Sequence, residues 1–227
     1  MPLPQDQAEL IRRISSVVGH ELRNPLAVIN NSTYFVKAKL GAQGEIDPKV
    51  ARHLDIIASE IDRLNQMIAD ILAFSRPIEI KLVPAFINSC IENALEGYAF
   101  PGNIRLEKNL SLKNPQALLG IGIFEDALRR ILVNAVEAMS DGGSILVSTT
   151  IQQGIASLEI RDTGPGIKPE ALEFVFEPFF TTKPRSLGLG LAMARKIIEA
   201  QGGRLEAANH VRGGAAFKVV VKLWSVC

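Results

Sequence analysis

The apolar residues Val50, Leu54, Ile57, Ile61, Leu64, Ile68 and Ile71 follow one another in alternating steps of four and three. That spacing keeps one stripe on one side of an α-helix, the seam along which helices pack in coiled-coil fashion. The preceding stretch carries Ile11, Ile14, Val18, Leu22, Pro25 and Ile29 at similar steps and continues through Val36 and Leu40 until Gly41-Ala42-Gln43-Gly44 breaks it. Asp47-Pro48 then supplies an N-cap and a first-turn proline for the second helix. Two helices joined by so short a break form an antiparallel hairpin. Each is about 45 Å long at ~30 residues. One hairpin alone is expected to leave a flank of Leu10, Val17, Leu26, Ile56, Met67 and Leu72 facing water. Pairing two hairpins into a four-helix bundle covers it. Residues 1–76 are therefore expected to form a homodimerising helical module that ends at Ser75-Arg76-Pro77. Residues 77–81 are expected to be a hinge, and residues 82–227 a second domain.

Past the hinge the period changes. Helical patterns near Pro84–Glu96, Glu125–Met139 and Leu189–Gln201 alternate with strand patterns at Ile104–Leu110, Ser144–Thr150, Ile155–Arg161, Arg204–Ala208 and Ala216–Leu223. Few of these read as βαβ repeats, so the expectation is an α+β domain with helices packed on one face of a sheet. The 227 residues suit one to two domains at ~150 residues each, and 47% hydrophobic content can build their cores. Lys and Arg number 25 against 24 Asp and Glu, and a net charge of +1 argues against nucleic acid as a partner. Cys90 and Cys227 are far apart and form no CxxC pair, so neither a cysteine zinc site nor a disulfide framework is suggested. A reducing cytoplasm fits. No apolar run approaches the ~20 residues that span a bilayer, so no membrane contact by this segment is expected. Met1 does not exclude a sensor or membrane region upstream in a longer parent chain.

Four short motifs could carry chemistry. His20, in Gly19-His20-Glu21-Leu22-Arg23-Asn24-Pro25, lies two positions from both Val18 and Leu22 and so points away from the apolar seam. Glu21 could take a proton from one ring nitrogen and leave the other free to attack, although a lone histidine is more often an ordinary surface residue. Asn24 stands where a zinc-binding HExxH pattern needs its second histidine. His53 and His210 have no ligand spacing around them. Asp162-Thr163-Gly164-Pro165-Gly166 follows a strand, where a carboxylate can accept from an exocyclic amine such as that of adenine; it is also simply a good turn. Ser186-Leu187-Gly188-Leu189-Gly190-Leu191 opens a helix whose N-terminus suits phosphate oxygens. The proline-broken Phe176–Pro184 before it reads as a lid over a ligand or as a surface loop with core-packed phenylalanines. Asn134 offers a hard carboxamide oxygen for Mg²⁺, with Glu137 at i+3 able to assist through water or to remain a solvated charge.

In order, His20-Glu21-Leu22-Arg23-Asn24-Pro25, Asn134-Ala135, Asp162-Thr163-Gly164-Pro165-Gly166, Phe179-Phe180-Thr181-Thr182-Lys183 and Gly188-Leu189-Gly190-Leu191 resemble the H, N, G1, F and G2 boxes of sensor histidine kinases. Any one is weak; five in sequence over nearly the whole chain are specific. The resemblance implies a dimeric phosphoacceptor hairpin followed by an α/β two-layer sandwich that binds ATP, the fold of DNA gyrase and heat-shock chaperone ATPases. It implies His20 as phosphoacceptor, Glu21 as its acid–base partner and Asn24 as the residue that orients water during dephosphorylation of the partner. It implies Asn134 as the Mg²⁺ ligand and Asp162 as the adenine anchor. Gly164, Gly166, Lys183, Gly188 and Gly190 then surround the nucleotide. Four positions depart from the pattern: Arg130 for an earlier Asn, Glu137 for a phosphate-contacting Lys, Ser186 for a first glycine and Ala216 for a late Ser or Thr.

The expected function is therefore ATP-dependent phosphorylation of His20 with transfer to an aspartate on a response-regulator receiver domain, and with a regulator phosphatase activity beside it. Two rivals share these motifs. A non-catalytic phosphotransfer dimer would keep the ATP domain only as a docking surface, and intact Asp162 and Asn134 argue against it. An ATP-driven clamp or chaperone would need no histidine acceptor, and His20 on a dimer helix argues against that.

Overall fold

The computed structural model describes residues 5–42, 44–183, 186–211 and 213–224, with side chains from Leu22 onward. The chain divides into two compact units, Met1–Pro77 and Ile78–Cys227.

The first unit is two helices, α1 (Gln5–Gly41) and α2 (Pro48–Ser75). Asp47 caps α2: its Oδ1 accepts from the Lys49 N–H at 2.7 Å and the Val50 N–H at 3.4 Å. Pro48 takes the first position, where a missing N–H costs nothing. Lys37 near the end of α1 pairs with Asp55 near the start of α2, while Leu26 shares a buried cluster with Ile61, Ile68 and Leu72. The helices thus run in opposite directions.

The stripe on α2 divides into two rows. Leu54, Ile61 and Ile68 are buried, whereas Val50, Ile57 and Leu64, with Leu22, Ile29 and Val36 on α1, are each 41–47% exposed. This corrects the expected flank: Leu26 and Leu72 are buried and Met67 is half-buried, and only Ile56 of the described members faces water. Residues seven apart form a row, and one partner helix covers only one row of a two-row seam, so the second row is left outward. The side chains of Leu10 and Val17 lie outside the described residues. Among the described residues no helix is long and apolar enough to cross a membrane.

The second unit runs β1 (Val83–Phe86), α3 (Ile87–Glu96), β2 (Ile104–Asn109), β3 (Gln116–Leu119), α4 (Ile121–Glu137), β4 (Gly143–Gln152), β5 (Ile155–Asp162), α5 (Gly190–Ala200), β6 (Arg204–Asn209) and β7 (Ala215–Lys222). Five strands form one sheet in the order β2-β4-β5-β7-β6, in which only β2 and β4 are parallel. Alternate residues Ile145, Val147, Ala156, Leu158, Ile160, Phe217, Val219 and Val221 are buried, so one face of the sheet is a core face. It is covered by Cys90, Ile91 and Ala94 of α3, Phe124, Leu128 and Ile131 of α4, and Met193, Ile197 and Ile198 of α5. The result is a two-layer α/β sandwich.

Three boundaries differ from expectation. Pro84 belongs to β1, which pairs antiparallel with β3, so the helix begins at Ile87 instead. A two-stranded sheet has only edges, where a proline without an N–H is tolerated. β3 carries only four residues and no readable alternation. α4 begins at Ile121, one turn before Glu125, and ends at Glu137. Gly120 and Gly122 disguise that first turn as a breaker.

Candidate nucleotide site

The period of β5 that buries Ala156, Leu158 and Ile160 puts Asp162, its last residue, on the same inward face, 1% exposed. Its Oδ1 accepts from the Gly164 N–H at 2.9 Å and the Ala215 N–H at 3.1 Å. Two backbone donors on one oxygen offset the cost of burying the charge and fix the plane of the carboxylate. Oδ2 makes no hydrogen bond within the described residues, and no buried side-chain polar atom there lacks a partner. Oδ2 is therefore an acceptor fixed in place, without a partner of its own among the described residues and with only a small opening to solvent. Thr163 is pinned to β4 by its N–H to the Ser144 carbonyl at 3.1 Å and by the Ser144 N–H to its Oγ1 at 3.0 Å. Gly214, at φ +83°, packs so tightly that a Cβ would run into the Asp162 carbonyl. Only glycine fits there.

The stripe Ala127, Leu128, Ile131, Leu132 and Ala135 turns α4 inward and leaves Asn134 half-buried at the rim with Glu137 exposed one turn later. Lys183 reaches this rim. Its Nζ donates to Asn134 Oδ1 at 2.8 Å, to the Asn134 carbonyl at 3.2 Å and to Glu137 Oε2 at 2.9 Å. Three oxygens from one helix end thus converge on a single cation. The same helix end meets the Asp162 turn, because Thr163 Oγ1 donates to Met139 Sδ at 3.6 Å and a Cβ on Gly164 would stand 3.3 Å from the Ala138 carbonyl. Asn134, Lys183, Asp162 and Gly164 are therefore gathered around the same end of α4.

Phe176 lies edge-on to the core ring of Phe217 at 6.3 Å with the Arg195 guanidinium 5.3 Å over its face, as the surface-loop reading expects. Phe179 differs: it is half-exposed at φ +66°, with its N–H on the Gly188 carbonyl at 3.1 Å. A bulky residue there stores strain of ~1–3 kcal/mol. Gly188 has φ +70° and is held against the Phe180 carbonyl. Gly190 opens α5, where the N-cap Leu189 makes no side-chain cap bond, so the first N–H groups have no intrahelical acceptor at the positive dipole end. Gly166, at φ +77°, sits on the far side of the Asp162 turn.

His20, Glu21 and Asn24 belong to the other unit. All three lie in α1, where Asn24 is exposed and the side chains of His20 and Glu21 lie outside the described residues. Arg130 pairs with Asp126 one turn away at 2.9 Å. Sequence reasoning named Thr163 only as part of its motif, without a role, and missed Asn209, Gly214 and the Ala215 N–H. The doublet Gly213-Gly214 before a strand was a usable signal for a close backbone approach; nothing distinguished Asn209.

A two-helix hairpin followed by an α/β sandwich with a fixed carboxylate at a strand end and a helix without a side-chain cap after a glycine-rich turn is the architecture of the phosphoacceptor-plus-ATPase class of protein. A family model described as "His Kinase A (phospho-acceptor) domain" matches residues 10–79, and "Histidine kinase-, DNA gyrase B-, and HSP90-like ATPase" matches residues 122–225. The chain belongs to the sensor histidine kinases, of which it carries the phospho-acceptor and ATPase domains. Sensor histidine kinase ZraS of Escherichia coli O157:H7 is 30% identical over 208 residues, 90% of this chain and 44% of that protein. The chain spans less than half the length of the curated relatives it matches. Full-length ShkA in complex with AMPPNP superimposes with a TM-score of 0.75 at 22% identity, covering 95% of this chain and 47% of that one. Histidine kinase ThkA in complex with response regulator protein TrrA gives 0.70 at 23% identity, covering 96% and 63%. These two likenesses establish the fold.

Proposed function

We propose that this chain is the core of a two-component kinase that phosphorylates His20 from ATP and passes the phosphoryl group to an aspartate of a response-regulator receiver domain. The observation that carries the reading is the Asp162 carboxylate, held by two backbone N–H groups with its second oxygen left without a partner among the described residues. An acceptor fixed in this way selects a base with an exocyclic amine, as adenine has. Gly164 and Gly166 let the backbone pass close to the base, while Gly188, Gly190 and the open end of α5 receive phosphate oxygens. The ammonium of Lys183 stands in for a metal ion: Asn134 Oδ1 and Glu137 Oε2 already converge on it, and hard oxygens suit Mg²⁺. Asn134 would hold Mg²⁺, with Lys183 free to face the polyphosphate. When bound, Mg²⁺ neutralises phosphate charge.

In the hairpin, one ring nitrogen of His20 forms the new P–N bond as the bond from phosphorus to the leaving ADP oxygen breaks. Glu21 takes the proton from the other ring nitrogen. An aspartate oxygen of the regulator later receives the phosphoryl group as the P–N bond breaks. Asn24, one turn beyond His20, donates and accepts at once and is suited to hold a water that attacks the phosphorus of the regulator's phosphoaspartate, breaking its bond to the aspartate oxygen and releasing inorganic phosphate. Residues 1–76 form the phosphoacceptor domain, 77–81 a hinge and 82–227 the catalytic domain. A second copy of the chain supplies the homodimer, and the outward row Leu22, Ile29, Val36, Val50, Ile57 and Leu64 supports it. ThkA was solved with its response regulator, which supports the receiver domain as partner.

Incubation with labelled ATP and Mg²⁺ tests the proposal. An acid-labile, base-stable phosphoprotein is expected, lost in His20→Gln while nucleotide still binds. Undiminished labelling of that variant overturns it.

A further inference from the structure

Asn209 closes β6, and its carboxamide engages one residue across the site. Its Oδ1 accepts the Ile167 N–H at 2.7 Å and its Nδ2 donates to the Ile167 carbonyl at 2.6 Å. One side chain thus takes both backbone polar groups of a loop residue, the pairing that a neighbouring strand would supply. Ile167 ends the turn that Asp162 begins. Inside that turn Gly166 approaches so closely that a Cβ would stand 2.8 Å from Asn209 Oδ1. The β6–β7 turn carries a second tether: the His210 N–H reaches the Gly214 carbonyl at 3.0 Å, and the next residue's N–H, that of Ala215, holds Asp162 Oδ1. The turn that bears Asn209 therefore grips the segment Asp162–Ile167 at both ends. Asn209 is exposed and adds nothing to the core, so its contribution lies in where that segment is held.

We infer that Asn209 is a positioning residue for base selection: its clamp on Ile167 fixes the turn that aims Asp162 Oδ2 at the exocyclic amine of the purine. The inference rests on the adenine-anchor reading of Asp162. Without the clamp, Gly164 and Gly166 are free to rotate, the Gly164 N–H no longer holds Asp162 Oδ1 in one orientation, and the acceptor loses its direction while remaining present. A ligand without the amine has nothing to lose by that.

Calorimetric titration of the full chain with ADP and with IDP, whose base carries an oxo group in place of the amine, tests this. The wild type is expected to favour ADP. Asn209→Ala should weaken ADP by about tenfold and IDP by less than about threefold, narrowing the ratio. The Ile167 amide should also lose its protection from hydrogen exchange. Asn209→Asp keeps the volume and one acceptor but sets a carboxylate oxygen against the Ile167 carbonyl. It should narrow the ratio too, and it serves if the alanine variant does not fold. An unchanged ratio, or equal weakening of both nucleotides, overturns the inference. Asp162→Asn separates the layers: a wild-type ratio there overturns the anchor reading itself. A ratio lost there but kept in both Asn209 variants overturns only the role of Asn209.

Discussion

Replacing Asp162 with asparagine probes the site with the least change of shape. The new amide can face two ways. With its oxygen toward the Gly164 and Ala215 N–H groups it keeps both bonds and turns its NH₂ to the ligand. The flipped form sets NH₂ against two buried donors, at about 1–3 kcal/mol for each donor left unpaired, so the first form prevails. The unpartnered acceptor becomes a donor. An adenine amine then meets another donor and loses a charge-assisted bond worth about 1.5–3 kcal/mol, which is roughly 10- to 150-fold in affinity. A 6-oxo purine gains a partner instead. Asp162→Asn should therefore invert the preference, ADP weakening while IDP tightens, with the melting temperature within a few degrees of wild type because the fold keeps both bonds. Titration calorimetry with both nucleotides reads this directly. ADP affinity within twofold of wild type, with no gain for IDP, would refute the reasoning.

Gly214→Ala drives a Cβ into the Asp162 carbonyl, so it should lose ~2 kcal/mol or more in urea unfolding and abolish nucleotide binding; wild-type values for both would contradict the packing. Ile57→Glu with Leu64→Glu places charge on the outward row of α2 and should turn a dimer into a monomer in sedimentation equilibrium, with helix content kept. Burial pushes the Cys90 thiol from 9.0 up to about 11, so the fold disfavours the thiolate while the unfolded chain accepts it. Stability should be untouched by this group below pH 9 and fall by up to about 2–3 kcal/mol as pH rises from there to 11. Cys90→Ala should flatten that slope in pH-dependent unfolding, and an identical slope would exclude the thiol as its source.

Features whose cause lies within a few residues were legible. The hairpin came from the stripe on α2 and the Asp47-Pro48 start, and β5 from its strand pattern up to Arg161, with Asp162 read as the residue just after it; that Asp162 is the strand's last, inward residue was not read. Elements fixed by distant partners were not. β1 and β3 stabilise each other by pairing Val83 with Leu119, and neither carries a pattern of its own. Asn209 meets Ile167 across 42 residues and Ala215 meets Asp162 across 53, so no local window could join them. The flank of the hairpin failed for a related reason: apolar spacing finds the stripe, but only the position of α1 decides which row, Ile61 or Ile57, lies beneath it.

The parallel pair in the sheet bears on the order of assembly. Ile104 lies beside Gly143, and the chain between them must travel through β3 and α4 before that pairing can close. Closing a long loop costs entropy before any contact repays it, whereas α1 with α2, and β4 with β5 across the Gln153-Gly154 turn, meet from nearby. Helices and local turns should thus appear early in refolding. The seat that needs α4, the end of β5 and the start of β7 together should appear last. A chain interrupted partway would look well structured by circular dichroism and yet bind no nucleotide. During synthesis the same order keeps a half-made copy silent, because nothing upstream of Ala215 can complete the cradle of Asp162.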